Sequence, residues 1–332
     1  GTIEYFKKDS KDLLFDVSQP ASVGVTSIIQ NIGKVTNSGV EIELDYNAFK
    51  NKDWSVSVGA NATFVKNKIK NLPATMKENG YISGSKKWLE GKSIYEFWLR
   101  QWHGVDPQTG DGLYVADVSK YNQGNIGTGD GNITQSQFDE YKKTVVTIDG
   151  KELTNSYTYA KYDFSGSSIP DVFGGFNVRV SYKNFDLAAV FSYQLGGQVL
   201  DTNYATMMSM TEFGYAQSPD LLKAWKQAGD ITEVPRIDNS AAHTTNIGQS
   251  YSTRWLTSSD YLNLRSVTIG YQLPKTWLSK VMLKSARLNL TAENLFMLKA
   301  RQGLNPMANY SGVTYNEYMP SRNITLGLNV SF

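Results

Sequence analysis

The chain of 332 residues is long enough for one large all-β domain or for two ordinary domains. Charged residues make up 19% of the chain, below the roughly 25% of typical soluble domains, and a net charge of +2 without a Lys/Arg cluster argues against a nucleic-acid partner. Cysteine is absent, which excludes disulfides and thiolate metal sites and is compatible with an oxidising compartment.

Apolar runs in the sequence are short. No stretch of 18 consecutive apolar residues occurs, so the sequence predicts no transmembrane helix. A transmembrane β-barrel stays open as an interpretation, because each of its strands needs only about ten residues that alternate between apolar and polar. The chain opens on Gly1-Thr-Ile-Glu-Tyr5 without a signal peptide, so we expect either a cytosolic protein or a chain whose N-terminal part is missing.

Alternation with a period of two predicts ten strands, since successive side chains of a strand point to opposite faces. The clearest hairpin joins residues 38–48 to residues 54–64 across a short turn. A helical turn is predicted at residues 135–143, and a short helix at residues 220–227 after Pro219. The predicted strands cover residues 1–15 (with a break near 7–12), 38–48, 54–64, 94–105, 113–117, 172–182, 185–195, 261–273, 286–293 and 321–332.

Short and long connections between these strands alternate strictly, which places the short turns at one end of the sheet and the long loops at the other. Transmembrane barrels have this asymmetry, with short periplasmic turns and long extracellular loops. A β-sandwich has no reason to sort its loops in this way. The short connections lie near residues 49–53, 106–112, 183–185 and 274–285, and the long ones near residues 19–34, 66–92, 118–170, 196–260 and 299–320.

The last predicted strand, residues 321–332, has one apolar face and one polar face, and the chain ends on the apolar face with Phe332. A strand that stops at the carboxyl terminus on an aromatic residue is typical of the last strand of an outer-membrane β-barrel. Together with the sorted loops, it predicts an all-β protein that crosses the membrane as an antiparallel β-barrel.

Several motifs resemble the SusC/RagA family of TonB-dependent transporters, and they spread over most of the chain from about residue 37 onward. Asn37-Ser-Gly-Val-Glu-Ile-Glu-Leu44 resembles a barrel strand of TonB-dependent transporters in general. Five segments resemble the SusC/RagA branch: Ile169-Pro-Asp-Val-Phe-Gly-Gly-Phe176, Pro219-Asp-Leu-Leu-Lys-Ala-Trp225, Asp260-Tyr-Leu-Asn-Leu-Arg-Ser-Val-Thr-Ile-Gly-Tyr271, Ala292-Glu-Asn-Leu-Phe296 and the terminal stretch from Pro320 to Phe332.

The resemblance implies that residues 1–332 are the C-terminal part of a 22-stranded plugged barrel, about ten of its strands, with the signal peptide, the plug and the first strands absent. It implies a barrel in the outer membrane of a Gram-negative cell, surrounded by outer-membrane lipid. There it would import a large nutrient, either a glycan or an oligopeptide, energised by TonB through the missing N-terminal plug region. A SusD/RagB-like surface lipoprotein is the implied lid, and no cofactor is implied.

Two groups of side chains are candidate functional residues. The first group consists of tryptophans in or beside the predicted outer loops: Trp88, Trp98, Trp102, Trp225 and Trp255. One interpretation is contact with the substrate or with the lid protein. The other is a structural role at the membrane interface or in the core of the loops. A second group of polar residues is expected to face the lumen: Glu41, Glu43, Arg179, Arg287 and Glu293. These side chains either contact the plug or the substrate, or only solvate the lumen wall. Phe332 is the implied signal for assembly into the outer membrane.

The sequence predicts neither a catalytic nor a metal site. His103 and His243 are the only histidines and lie far apart in the sequence, which favours solvated or interfacial side chains. No nucleophile elbow or Ser/His/Asp set is evident. Asp130-Gly-Asn-Ile133 resembles the core of a calcium loop, but the required first carboxylate and the bidentate Glu are missing, which favours an ordinary surface loop.

Two other functions stay open from the residues alone. One is an outer-membrane receptor or adhesin barrel whose long loops bind a partner without transport. The other is a soluble β-sandwich, such as a carbohydrate-binding module, in which the polar face of each strand would be the solvated outside.

Overall fold

The structure, a computed structural model, describes residues 1–18, 27–129, 131–210, 214, 216–248, 251–278, 283–315 and 317–332. Strands dominate this part of the chain. In chain order they are β1 (Thr2–Ser18), β2 (Ser27–Lys50), β3 (Trp54–Asn71), β4 (Tyr81–Ser83), β5 (Lys86–Trp88), β6 (Glu96–Arg100), β7 (Trp102–Val105), β8 (Gly112–Val115), β9 (Val145–Ile148), β10 (Lys151–Thr154), β11 (Tyr162–Ser167), β12 (Val172–Tyr182), β13 (Phe185–Leu195), β14 (Gln198–Leu200), β15 (Leu256–Ser258), β16 (Tyr261–Gln272), β17 (Ser285–Lys299) and β18 (Asn323–Ser331).

The described helices are short: α1 (Gln135–Thr144), α2 (Thr202–Met207), α3 (Ala241–Ile247) and α4 (Lys275–Leu278). The predicted helical turn at 135–143 is confirmed as α1, which begins with a capping box between Thr134 and Gln137. The helix predicted at 220–227 is shorter than expected, because it is a 3₁₀ turn over Pro219–Lys223. Among the described residues, no helix is long and apolar enough to span a membrane.

The architecture is organised around one eight-stranded antiparallel sheet, the main sheet, with the order β1-β2-β3-β12-β13-β16-β17-β18. Its connections are sorted by length, as the sequence predicts. The turns after β2, β12 and β16 are short, and α4 lies in the last of them. The connections after β3, β13 and β17 span residues 72–171, 196–260 and 300–322, and we refer to these three segments together as the loop region.

Local chemistry fixes the two tightest turns. After β2, the Asn51 side chain accepts hydrogen bonds from the backbone amides of Asp53 and Trp54 at 2.9 and 2.7 Å, which is the geometry of an Asx turn. After β12, Lys183 takes the left-handed conformation with φ 52°, and its amide donates to the Asp53 carbonyl of the neighbouring turn at 2.8 Å.

The prediction of ten barrel strands is wrong for the described chain, whose main sheet has eight. The predicted strands at 94–105 and 113–117 do form, but as β6, β7 and β8 they belong to two small sheets in the loop region. The connection at 106–112 is therefore a turn inside the loop region and not a short turn of the main sheet. Phe97 and Leu99 are fully buried in β6, which explains why this segment does not alternate like a strand with one solvated face.

The first hairpin is longer than predicted. The break expected near residues 7–12 is a β-bulge between Ser10 and Leu13, where Asp12 has φ 57°, and β1 continues to Ser18. The predicted loop at 19–34 is a strand from Ser27 onward, and residues 19–26 lie outside the described part of the chain.

The loop region has apolar cores of its own. One cluster joins β6 to α2 and to the Pro219–Lys223 turn and is formed by Phe97, Leu99, Leu200, Ala205, Met208, Leu221, Ala224, Val234, Trp255 and Val313. A second, around α1, contains Ala116, Tyr121, Ile133 and Tyr141. A third cluster, at the start of the first long connection, contains Val35, Ile69, Leu72 and Met76. The long connections therefore fold into packed structure beyond one end of the main sheet.

Candidate functional site

One face of the main sheet is apolar across all eight strands, and it is exposed. Leu326 and Ile324 in β18 are 74% and 72% exposed, and Ile3 in β1 is 74% exposed. The pairing register places such residues side by side in continuous rows, one of which contains Tyr46, Val58, Val178, Ala189, Val267, Ala292 and Ile324. A face of this size without a covering layer in the described chain is suited to contact with hydrocarbon. In a β-sandwich such a face packs on a second sheet, and the described residues contain no second sheet against this face.

Aromatic side chains border this apolar face at the end with the short turns. Trp54, Tyr182, Phe185 and Tyr271 are register partners on four successive strands. The ring centroids of Trp54 and Tyr182 are 4.3 Å apart, and those of Phe185 and Tyr271 are 4.4 Å apart. Membrane barrels place such rows of aromatic residues at the boundary between hydrocarbon and head groups. Phe332, at the end of β18, is 79% exposed.

The five polar residues predicted to face the lumen all lie on the opposite face of the main sheet. Arg287 has the strongest contacts: its Nη2 lies 2.7 Å from Asp186 Oδ2, and its Nε donates to Asn289 Oδ1 at 2.8 Å. Gly270 makes this ion pair possible, because a Cβ at this position would lie 2.3 Å from the guanidinium and 2.7 Å from the carboxylate. The polar face is thus built from contacts between strands that are distant in sequence.

The other polar-face candidates have fewer contacts. Glu293 Oε2 accepts a hydrogen bond from the Asn323 side chain at 3.2 Å. Glu41 and Glu43 line a shallow cavity of about 300 Å³ together with Glu4, which is directly opposite Glu41 in the register. Arg179 is exposed and lies opposite Ser57 and Ala188. Sequence reasoning missed Asp186, although its position in β13, between two apolar-face residues, places it on the polar face.

Trp255 and Trp102 both lie against the guanidinium of Arg254 in the loop region. The guanidinium carbon of Arg254 is 4.3 Å from the ring centroid of Trp255 and 4.7 Å from that of Trp102, and Nη1 donates to the Ile247 carbonyl at 3.0 Å. Burial lowers the pKa of Arg254 to about 10. Trp255 is only 2% exposed, so its ring has no accessible face for a substrate in this structure.

The other three candidate tryptophans are half-buried. Trp225 donates its indole N–H to the Pro107 carbonyl at 3.0 Å, with its ring against Gly110, where a Cβ would lie 2.5 Å from the ring. Trp98 is flanked by the rings of Tyr162 and Phe164, and the Lys87 ammonium lies 4.0 Å from its ring centroid. The Trp88 indole donates to the Ile94 carbonyl at 3.1 Å. Each ring therefore has a role in packing the loop region.

Lys86 is a buried charge beside these tryptophans. Its ammonium lies 3.1 Å from the ring centroid of Phe97 and donates to the Tyr95 carbonyl at 2.9 Å. Burial lowers the pKa of Lys86 to about 7, and the nearby Glu96 carboxylate opposes this shift.

A polar cavity of about 440 Å³ in the loop region was not predicted from the sequence. Arg236 Nη2 lies 3.2 Å from Asp111 Oδ1 at its wall, and Asn246 accepts a hydrogen bond from the Tyr157 amide. His243, expected to be solvated or interfacial, is buried there at 7% exposure, and its Nε2 donates to the Arg236 carbonyl at 2.8 Å. His103 is exposed. Asp130, of the calcium-like segment, lies outside the described residues.

The chain is similar in sequence to TonB-dependent receptors. Residues 1–136 match the family described as TonB dependent receptor-like, beta-barrel. TonB-dependent receptor P3 of Formosa agariphila is 28% identical over the whole chain, which covers 32% of that relative. TonB-dependent receptor SusC of Bacteroides thetaiotaomicron is 24% identical over the whole chain, which covers 30% of it.

Solved structures give the same result for the fold. A structure of the RagAB peptide transporter matches 99% of the chain with a TM-score of 0.75 at 24% identity, and a structure of the RagAB peptide importer in its closed-closed state matches with a TM-score of 0.76 at 25% identity. The chain spans about a third of the length of these relatives. The predicted resemblance to the SusC and RagA branch of TonB-dependent receptors, and with it the β-barrel fold class, is confirmed.

Proposed function

We propose that this chain forms part of an outer-membrane β-barrel that imports a large nutrient, either a glycan or an oligopeptide, with energy delivered through TonB. The observation that carries the proposal is the two-faced main sheet: eight strands with an exposed apolar face, an opposite polar face and long connections at one end only. An exposed apolar face bordered by aromatic residues is stable in hydrocarbon and unfavourable in water.

In this proposal the polar face lines the lumen. Arg287 and Asp186 stiffen the wall through their ion pair, while Arg179, Glu41 and Glu43 offer charge to whatever occupies the interior, either a plug or a passing substrate. Trp88, Trp98, Trp102 and Trp225 support the shape of the loop region and offer their remaining exposed ring surface to a substrate or lid. The proposal assigns no catalytic role to any residue.

The proposed partners are a SusD- or RagB-like surface lipoprotein above the loop region, TonB acting through a plug, and outer-membrane lipid around the apolar face. The exposed apolar side chains of the loop region support a protein partner there: Ile231 is 96% exposed, Tyr318 95% and Leu222 79%. The related solved structures are of RagAB, a peptide transporter or importer, which makes an oligopeptide the first class of substrate to test.

An uptake experiment in cells tests the proposal. Cells that produce the protein in its natural full-length form are offered fluorescent oligopeptides and glycans, and accumulation is measured with and without a protonophore that removes the energy for TonB. We expect accumulation of one class, lost with the protonophore and with deletion of the gene. Surface binding that persists unchanged with the protonophore, without accumulation, would favour the receptor or adhesin alternative.

A further inference from the structure

A groove of about 650 Å³ lies on the apolar face of the main sheet, at the end where the long connections begin. Its apolar lining comes from Phe176, Tyr193, Leu195, Leu262 and Leu298, on the four neighbouring strands β12, β13, β16 and β17. The volume is within the range of roughly 300–1,000 Å³ that is usual for small-molecule sites.

The groove exists because the Tyr193 ring extends toward β3 and away from Leu262. The Tyr193 hydroxyl donates to the Asn61 carbonyl on β3 at 3.0 Å, two strands away, so the Tyr193 ring crosses β12. Its register partner on β12 is Gly174, which has no side chain in the way. Leu262, the partner of Tyr193 on β16, is therefore left uncovered by the ring. Shifts of register beside Leu264 in both pairings of β16 bend the sheet just below the groove.

One end of the groove is polar. Ser258, Asp260 and Lys299 line it where β16 begins and β17 ends. Asp260 Oδ1 is buried and has no hydrogen-bond partner among the described residues. The Lys299 ammonium donates to the Leu304 carbonyl at 2.7 Å and contacts the Met319 sulfur at 3.5 Å, which leaves one of its three donors for another acceptor. The groove is thus apolar along its length and polar at the end nearest the loop region.

We propose that this groove binds one acyl chain of a membrane lipid, with the lipid head group at Lys299 and Asp260 and the chain end near Phe176. The proposal rests on the proposed function in one respect, the placement of this face in the membrane. The groove is continuous with the exposed apolar face, which makes hydrocarbon its natural neighbour. From the level of Phe176 to Leu195 it runs four residues along β13, about 13 Å along the strand and about 10 Å of depth at a tilt of about 40°, which lies within the ~15 Å of one bilayer leaflet.

A lipid chain prefers the groove to the surrounding bilayer because of van der Waals contacts and not because of the hydrophobic effect. Lipid tails are as apolar as leucine, so moving a chain from the bilayer into the groove gains nothing from dehydration. A chain in the groove touches side chains on several sides, whereas a chain on a flat part of the face touches them on one, and dispersion energy grows with the number of contacts. The polar end adds hydrogen bonds to the head group.

Native mass spectrometry of the natural full-length protein, extracted from phosphatidylethanolamine and phosphatidylglycerol membranes, tests the proposal. Leu262→Trp fills the groove, and Leu290→Trp is a matched control on the same face, 43% exposed and outside the groove. We expect the parent protein and the control to retain one lipid through collisional activation, and the groove variant to retain it at least fivefold less often. Equal retention in both variants, or no retained lipid in the parent, would overturn the proposal.

Photo-crosslinking of the unmodified protein gives a second measurement, which stays decisive if Leu262→Trp does not assemble. A phospholipid with a diazirine at the end of one acyl chain is incorporated into the membranes before irradiation. Adducts concentrated on peptides containing Phe176 or Leu262 support the proposed orientation, and labelling spread evenly to peptides such as that of Leu326 contradicts it. Import can be measured separately on the parent protein, so a negative result here leaves the proposed function standing.

Discussion

An arginine placed along β17 gives a direct test of which face meets the membrane. We predict that Ala292→Arg destabilises the folded protein by about 2–4 kcal/mol, the cost of a basic side chain at the bilayer midplane on the lipid face of a barrel. Leu288→Arg, at the edge of the apolar face, is expected to cost only about 0–1 kcal/mol. Thr325→Arg is the control on the polar face, at nearly the same level as Ala292, because Thr325 pairs with Thr291.

The depth of Ala292 follows from the register. Leu288 pairs with Tyr271 of the aromatic row, and Ala292 lies four residues further along the strand, about 13 Å at ~3.3 Å per residue. With a strand tilt of about 40°, this distance is about 10 Å of depth. On β13, whose pairing with β12 is regular, apolar side chains continue from Phe185, the partner of Tyr271, to Leu195, ten residues further, which is about 33 Å along the strand and about 25 Å of depth. Ala189, in the same row as Ala292, lies close to the middle of this span. The usual apolar band of such barrels is about 25 Å tall.

The assay is guanidinium unfolding of the full-length protein in lipid vesicles, followed by tryptophan fluorescence, with the assembled fraction checked on an unheated gel. The expected order of stability is Thr325→Arg and Leu288→Arg near the parent protein, and Ala292→Arg well below them. If Ala292→Arg unfolds at the same denaturant concentration as Thr325→Arg, the apolar face does not contact hydrocarbon, and the reasoning fails.

Four further predictions concern single residues. Gly270→Ala should cost about 1–3 kcal/mol in the same unfolding assay, because its Cβ would clash with the Arg287 guanidinium, and an unchanged midpoint would show that the ion pair can move aside. Trp255→Ala should cost about 3–5 kcal/mol and expose the loop region to limited proteolysis, whereas an unchanged digestion pattern would contradict its role in the core. Lys86 has a pKa of about 7 in the folded protein, against 10.5 in an unfolded chain, so the unfolded chain binds more protons between these two pH values. The free energy of unfolding should therefore rise with pH from about 7 to 10. Thermal unfolding should show this rise, and Lys86→Met should flatten it. Deletion of Phe332 should lower the amount of assembled protein in the outer membrane, measured as heat-modifiable migration, and normal assembly would count against a signal at this position.

Most of the main sheet could be predicted from the sequence because alternation is a local property. Residues 38–48 and 54–64 carry the pattern on their own, and the structure contains them within β2 and β3. The pattern appears because one face of each strand contacts an apolar medium and the other does not. The same local property predicted which side of β17 and β18 carries Arg287, Glu293 and the polar residues opposite them.

The loop region could not be predicted in the same way, because β6, the strand at the centre of its largest apolar cluster, has little exposed surface on either side. In β6, Phe97 and Leu99 are fully buried, while Trp98 between them is half-buried beside the rings of Tyr162 and Phe164 on β11. A strand surrounded by side chains on both faces has no alternation to reveal its partners. From the sequence alone such a segment cannot be told from a strand of the barrel, and the turn at residues 106–112 cannot be told from a short turn of the main sheet.

The chemistry of the polar face depends on register, which alternation leaves undetermined. Asp186 and Arg287 are separated by 101 residues, and they meet only because β13, β16 and β17 are neighbours with Gly270 between them. A shift of two residues in either pairing would keep every apolar side chain on the apolar face and would still separate the carboxylate from the guanidinium. The composition of the polar face can therefore be predicted from single strands. Its ion pairs depend on the register between neighbouring strands, which the turns fix. The charges that remain free for a plug or a substrate depend on the same register.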